Sequence, residues 1–103
     1  MMISKEIVRT SIKDKKEFTF DGSLLRFEAY NPDTNKYLYS RWFGKDSPGY
    51  GRQMGWEVVI PVKRKQPDGS IIECYPSSEQ FGRYGWFYPP RYSKEDMIES
   101  LSH

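Results

Sequence analysis

The side chains best suited to acid–base or nucleophilic catalysis are scarce in this chain. The only histidine is His103, the last residue, and the only cysteine is Cys74. Chain ends are often poorly ordered, so His103 is not expected to act as a general base or in a catalytic triad. Cys74 stands in a predicted strand, where a lone cysteine usually serves as a small buried apolar residue. The two residues together cannot supply a zinc site of the usual nitrogen and sulfur type.

Carboxylates are the remaining candidates for chemistry, and the chain has 14 of them. Such groups can form an acid–base pair or bind magnesium. Five stand in predicted turns or at a predicted helix start, where backbone roles account for them: Asp21, Asp33, Asp68, Glu95 and Asp96. Glu28, Glu57 and Glu73 lie on predicted strands, where cross-strand pairs with basic side chains are ordinary. The chain is therefore predicted not to be an enzyme and to need no cofactor or metal.

The segment GKDSPGYGRQMG, residues 44–55, is a long glycine-rich connection between two predicted strands. It lacks the spacing and the following helix of a phosphate-binding loop. Long loops in compact domains are often functional or mobile. Lys45, Tyr50 and Arg52 are therefore candidate contact residues at the tip of a binding loop, with a mobile linker that binds nothing as the alternative.

The segment FGRYGWFYPPRY, residues 81–92, interleaves aromatic side chains with Arg83 and Arg91. Within it, GRYGWFY has a passing likeness to the aromatic strand signature of RNA-recognition domains. Glycine and arginine are swapped relative to that signature, and an aromatic residue takes the aliphatic place. Hairpins also precede the segment where that family has a β-α-β arrangement, so the family is not assigned.

Three uses of the aromatic residues in 81–92 are compatible with the sequence. Exposed rings could stack on unpaired bases while the arginines contact phosphates. On a strand over 84–88, Tyr84, Trp86 and Tyr88 would instead share one face and close the core, and this use is favoured because buried aromatics are commoner. Rings left outside the core, there or elsewhere in the chain, could form a protein-contact patch, since Tyr, Trp and Arg dominate interface hot spots. The candidates are Tyr37, Tyr39, Trp42 and Tyr92.

Alternating and β-branched segments predict the strands that must position these side chains. The segments are 23–30, 36–43, 56–64, 70–75 and 84–88. Asp21-Gly22, NPDTN and QPDG between them are typical of tight turns. Pro61 cannot donate a ladder hydrogen bond, so the third segment is expected to lie at a sheet edge or to end there.

The clearest helix is SKEDMIESLS, residues 93–102, with Ser93 as its N-cap. Its apolar stripe is predicted to consist of Met97, Ile98 and Leu101. A shorter helical turn is expected at 77–81, where Gln80 could reach back toward Ser77 in a capping box.

These elements predict one α+β domain over residues 1–103. The expected fold is a small antiparallel β-meander of four to five strands with a C-terminal helix packed on one face. The segment EIVRTSI, residues 6–12, suits either a strand or a helical face, and the sequence does not decide between them.

Composition limits the classes of partner. The formal net charge of +2 is too small to imply a nucleic-acid or membrane partner by itself. No apolar run approaches the length of a membrane span, and the N-terminus has no apolar signal-peptide region. The chain is predicted to be a cytoplasmic protein without a membrane partner.

The high aromatic content, 17% of residues, and the lack of catalytic groups predict a non-catalytic interaction module. The expected partner is another protein or a second copy of the chain, and the alternative function is binding of single-stranded nucleic acid. The predicted contact residues lie in or near the loop and the aromatic segment: Arg41, Trp42, Lys45, Tyr50, Arg52, Arg83 and Arg91.

Overall fold

A computed structural model describes residues 16–103, which form seven strands, one 3-10 turn and one helix. The strands are β1 Glu17–Phe20, β2 Ser23–Asn31, β3 Lys36–Phe43, β4 Gln53–Val59, β5 Val62–Lys65, β6 Ile71–Cys74 and β7 Gly85–Tyr88. The 3-10 turn is Ser78–Gln80, and the helix, α1, is Lys94–Ser100. Residues 6–12, which suit a strand or a helix, lie outside the described part.

Five strands form the main sheet in the order β1-β2-β3-β4-β7, and each neighbouring pair is antiparallel. The remaining two, β5 and β6, pair with each other as a separate hairpin. This arrangement confirms the predicted α+β fold, a small antiparallel meander with a C-terminal helix.

The tight turns follow from their residues. Asp21 and Gly22 both adopt positive φ, 53° and 77°, which is the conformation of the two-residue turns that match the twist of paired strands. The predicted strand 56–64 is divided at Ile60 and Pro61, and its two halves enter different sheets. Pro61 therefore ends a strand, as expected from its missing N–H.

Strand alternation divides the main sheet into two apolar faces. One face carries a cluster of Leu25, Tyr37, Tyr39, Val59 and Tyr75, with Phe18, Phe20 and Phe81 packed against it. The other carries Leu38, Trp56 and Val58 beneath Met97 and Leu101 of α1, with Ala29, Trp86 and Tyr88 at its margin. We call the second face the helix face.

The segment that leads into α1 is bonded to the helix face, because Trp56 Nε1–H donates to the Tyr92 carbonyl at 2.9 Å. Ser93 caps the helix by accepting from the Asp96 N–H at 3.1 Å, as predicted. Met97 and Leu101 are buried, whereas Ile98 is 43% exposed, so the prediction of Ile98 in the apolar stripe is wrong. The helix has only two turns, and a residue one step beyond Met97 is rotated by about 100° away from the sheet.

The segment 81–92 divides between the core and the surface. Trp86 and Tyr88 pack at the margin of the cluster that includes Met97 and Leu101, so two of the three rings predicted to lie against the C-terminal helix do so. Tyr84 lies in the turn before β7 rather than on the strand. The exposed rings of the segment are Tyr84, Phe87 and Tyr92. Gln80 reaches back as predicted, because the Ser77 N–H donates to Gln80 Oε1 at 2.9 Å, but the Gln80 N–H donates to the Ser77 carbonyl rather than to its hydroxyl.

Candidate interaction surface

The helix face is covered by α1 at one end and opens into a shallow groove at the other. The groove has a volume of about 230 Å³, and we call it the Trp42 groove. Its lining residues are Leu24, Arg26, Trp42, Phe43, Tyr50 and Gly51. Leu24 and Arg26 come from β2, Trp42 and Phe43 from β3, and the last two from the loop between β3 and β4.

A chain of hydrogen bonds fixes the Trp42 indole. Its Nε1–H donates to Ser40 Oγ at 2.8 Å, and the Ser40 hydroxyl donates to Glu28 Oε2 at 2.6 Å. Lys94 of α1 contacts the other carboxylate oxygen of Glu28 at 3.0 Å. The polar edge of the ring is thus satisfied inside the protein, and the helix start and the groove are held in one network. A ring held in this way loses little conformational freedom when a partner binds.

Arg26 lies over the Trp42 ring, with its guanidinium carbon 5.1 Å from the ring centroid. Its Nε donates to Glu17 Oε2 at 2.8 Å, and both side chains of this ion pair are about half exposed. Within residues 16–103, the two terminal nitrogens of Arg26 have no hydrogen-bond partner. The guanidinium therefore presents unused donors beside the groove.

The loop between β3 and β4 is folded back on itself by successive turns. Backbone hydrogen bonds join Ser47 to Gly44, Tyr50 to Ser47 and Arg52 to Gly49, each at 3.0 Å. The Phe43 N–H donates to the Arg52 carbonyl and closes the loop at its base. This bonding presents the Tyr50 ring, 60% exposed, at the wall of the groove. The role of Lys45, Tyr50 and Arg52 as contact residues stays a prediction.

The structure brings together some of the contact residues predicted from the sequence. Trp42 and Tyr50 both line the groove, and Lys45 and Arg52 are exposed on the loop that carries Tyr50. Leu24, Arg26, Phe43 and Gly51 were not among the predicted residues. A signal for Arg26 was present in the sequence. The turn at 31–35 pairs segment 23–30 with β3, and alternation along that segment places Arg26 on the same face of the sheet as Trp42.

Three predicted contact residues lie away from the groove. Arg41 precedes Trp42 on β3 and so points to the opposite face of the sheet. Arg83 is exposed in the turn before β7, at the end of the sheet where β2 and β3 are joined. Arg91 is exposed between β7 and α1, with its guanidinium carbon 5.3 Å from the Tyr92 ring centroid.

Arg41 forms a buried ion pair on that opposite face. Its Nη1 contacts Oε2 of Glu57, a residue with no exposed surface. Burial raises the pKa of the Glu57 carboxyl above its ordinary value, although the hydrogen bond and charge of Arg41 act in the other direction. Arg41 Nε and Glu57 Oε1 have no hydrogen-bond partner in the described chain. The pair is thus a costly element of the core.

The Tyr39 hydroxyl is a further unsatisfied group in the core. It is buried without a hydrogen-bond partner among residues 16–103. Burial, with a smaller contribution from Tyr37, raises the pKa of the Tyr39 hydroxyl well above its ordinary value. Its ring packs edge-on against Phe18 and Tyr75, with centroids 5.4 and 6.3 Å away.

Tyr39→Phe is expected to raise the free energy of unfolding by about 1 kcal/mol, because it keeps the ring contacts and removes an unpaired buried hydroxyl. Equilibrium unfolding in urea measures the change. Tyr30→Phe is the matched control, since the Tyr30 hydroxyl donates to Asn35 Oδ1 at 3.1 Å on the surface. We expect the control to stay within about 0.5 kcal/mol of the original protein. A loss of stability in Tyr39→Phe would mean that this hydroxyl has a partner.

Comparisons of the chain with protein-family models, with curated proteins and with solved structures found no match. No helix in the described part is long and apolar enough to cross a membrane. Within residues 16–103, no group of three or more His, Cys, Asp or Glu side chains is placed to hold a metal ion.

Proposed function

We propose that this chain is a non-catalytic interaction module that binds a protein partner through the Trp42 groove. The observation that carries the proposal is the fixed Trp42 ring, held at its edge by Ser40 and placed beside the exposed Tyr50. Trp, Tyr and Arg are the residues most enriched at binding hot spots, and all three line this groove. Such an arrangement can bind a partner without assembling any catalytic group.

The distribution of cations supports a protein partner over single-stranded nucleic acid. A nucleic-acid surface needs a row of basic side chains along the backbone path. The groove has one lining cation, Arg26, which already has an ion pair with Glu17. The basic run Lys63, Arg64 and Lys65 lies on β5, which belongs to the separate hairpin.

Trp42→Ala is expected to weaken partner binding by at least about tenfold, because truncation of a central aromatic hot spot typically costs 2 kcal/mol or more. Peptides selected from a displayed random library on the original protein, then labelled with a fluorophore, provide the probes. Fluorescence polarisation measures their affinities. Sedimentation of the protein alone tests whether a second copy occupies the groove.

Two further variants make this experiment decisive. Tyr50→Ala changes the groove at a side chain that is 60% exposed, so little loss of stability is expected to accompany its loss of binding. Ile71→Ala is the control, because Ile71 is 65% exposed on the separate hairpin, outside the groove. Equal affinity of the peptides for Trp42→Ala, Tyr50→Ala and Ile71→Ala would show that the binding surface lies outside the groove.

Titration with labelled single-stranded DNA and RNA distinguishes the alternative function. We expect no binding that depends on Trp42. Binding that falls steeply with salt and is lost in Trp42→Ala would assign the groove to nucleic acid instead, because neutralised phosphates release counterions.

A further inference from the structure

The size and walls of the Trp42 groove limit what it can accept. Its volume of about 230 Å³ is below the roughly 300–1,000 Å³ of sites that enclose a small molecule. Leu24, Trp42 and Phe43 give it apolar walls. An open depression of this kind suits one apolar side chain of a longer segment that continues across the surface.

The unused donors of Arg26 determine what should stand beside that side chain. An arginine side chain has five N–H donors and no acceptor. Glu17 accepts only from Nε, so the terminal nitrogens have no acceptor within residues 16–103. The guanidinium lies over the Trp42 ring, with its carbon 5.1 Å from the ring centroid. A planar fork with unpaired donors matches the two oxygens of a carboxylate.

Charge around the groove permits an acidic ligand. Lys45 and Arg52 are exposed on the groove loop, and neither has an ion pair in the described chain. The acids nearby are Asp46 beside Lys45, Asp21 in the β1–β2 turn, Glu17, which is bound to Arg26, and Glu28, which is bound to Ser40 and Lys94. Basic and acidic side chains around the groove roughly balance, which suits one carboxylate at Arg26 better than a chain of phosphates.

We propose that the Trp42 groove recognises an extended peptide in which an apolar side chain stands next to an aspartate or glutamate. The apolar side chain occupies the depression between Leu24, Trp42 and Phe43, and the carboxylate accepts from the terminal nitrogens of Arg26. This proposal rests on the proposed function, since it names the chemistry of the partner at the same groove.

Arg26→Lys is the first test. Lysine keeps the charge but loses the planar fork, so peptides selected on the original protein should bind about tenfold more weakly, the range of a charge-assisted pair. The peptides are synthesised with acetylated and amidated ends, which leaves side chains as the only carboxylates. Arg91→Lys is the matched control, because Arg91 also lies over an aromatic ring and is outside the groove. The control should bind as the original protein does.

Glu17→Gln is expected to act in the opposite direction. It removes the carboxylate that competes for Arg26 and should tighten binding by about two- to threefold, as expected for an exposed ion pair. A merely structural role of the Arg26–Glu17 pair predicts weaker binding in both variants. Replacing the peptide's Glu or Asp by the amide should weaken binding to the original protein about tenfold and barely affect Arg26→Lys.

The outcomes separate this proposal from the proposed function. Selected peptides that require Trp42 but share no acidic residue would overturn the carboxylate proposal and leave the protein-binding function standing. Peptides that bind only with a free C-terminus would also overturn it. Peptides that bind Trp42→Ala unchanged would overturn both. Thermal melting of each variant checks that it is folded before binding is compared.

Discussion

Arg41→Met is expected to lower the free energy of unfolding by about 3 kcal/mol near pH 7. Removing one partner of a buried ion pair leaves an uncompensated charge in the core, which typically costs 3–5 kcal/mol. Glu57 has no exposed surface and would be that charge, while the Arg41 side chain is 17% exposed and already partly hydrated. The lower end of the range is therefore expected. Urea unfolding at neutral pH measures it.

The loss of stability in Arg41→Met should become smaller as the pH is lowered. Burial already raises the pKa of Glu57, so the native state binds a proton more readily than the unfolded state does. The contribution of Glu57 to stability is thus fully present below its ordinary pKa of about 4.5 and is lost as the pH rises through the raised value. Without Arg41 the pKa rises further. The destabilisation in Arg41→Met should then shrink as the pH is lowered from about 7 to about 5.

Two comparisons test this explanation. Arg26→Met breaks an exposed ion pair on the other face and should cost less than about 1 kcal/mol, with little pH dependence. Glu57→Gln combined with Arg41→Met removes the charge itself and should recover stability relative to Arg41→Met alone. An equal loss from Arg26→Met and Arg41→Met would show that burial of the Glu57 charge is not the cause.

The elements of this fold could be predicted because their signals are local. Asp21-Gly22 specifies a tight turn, alternation identifies β2 and β3, and Ser93 with Met97 and Leu101 specifies the helix and its buried side. The pairing of β7 with β4 joins segments about thirty residues apart and depends on which strand edge remains open. No turn signal encodes such a pairing, and the division of 56–64 at Pro61 is what frees that edge.

The candidate site was harder to predict than the fold, for reasons visible on β3. Arg41 and Trp42 are neighbours in sequence and both have hot-spot chemistry, but alternate side chains of a strand point to opposite faces. Arg41 pairs with a buried carboxylate, while Trp42 lines the groove. The alternation of side chains between the two faces of a strand can be read from the sequence. The part of the helix face that α1 leaves uncovered cannot be read in this way, because it depends on where the two-turn helix lies on the sheet.

The register of strand pairing was a further reason why the groove residues could not be predicted. The ladder shifts between Phe27 and Ala29 and again between Arg41 and Trp42. A bulge changes the side to which following residues point, and its position depends on packing rather than on a local motif. Leu24 and Arg26 lie before the first shift. Regular alternation of side chains from the start of β2 therefore places both of them on the groove side.

Gly44→Ala is expected to lower the free energy of unfolding by at least about 3 kcal/mol, because a Cβ at this position would overlap the carbonyl oxygen of Gly22. That oxygen belongs to the β1–β2 turn, whose Asp21 and Gly22 both have positive φ, so the backbone has little freedom to move. For a domain of this size the melting temperature should fall by more than about 10 °C.

Gly69→Ala is the matched control for this substitution. Gly69 has φ of 91°, but a Cβ there would meet nothing within 4 Å, so only the strained backbone contributes, about 1–2 kcal/mol. Gly44 stands where β3 enters the groove loop, and a shift there should also weaken peptide binding, whereas Gly69 lies at the tip of the separate hairpin. Equal losses of stability in the two variants would show that contact between the loop and the β1–β2 turn does not fix the groove. A larger loss in Gly44→Ala, with weaker binding, would show that this backbone contact positions Tyr50 against Trp42.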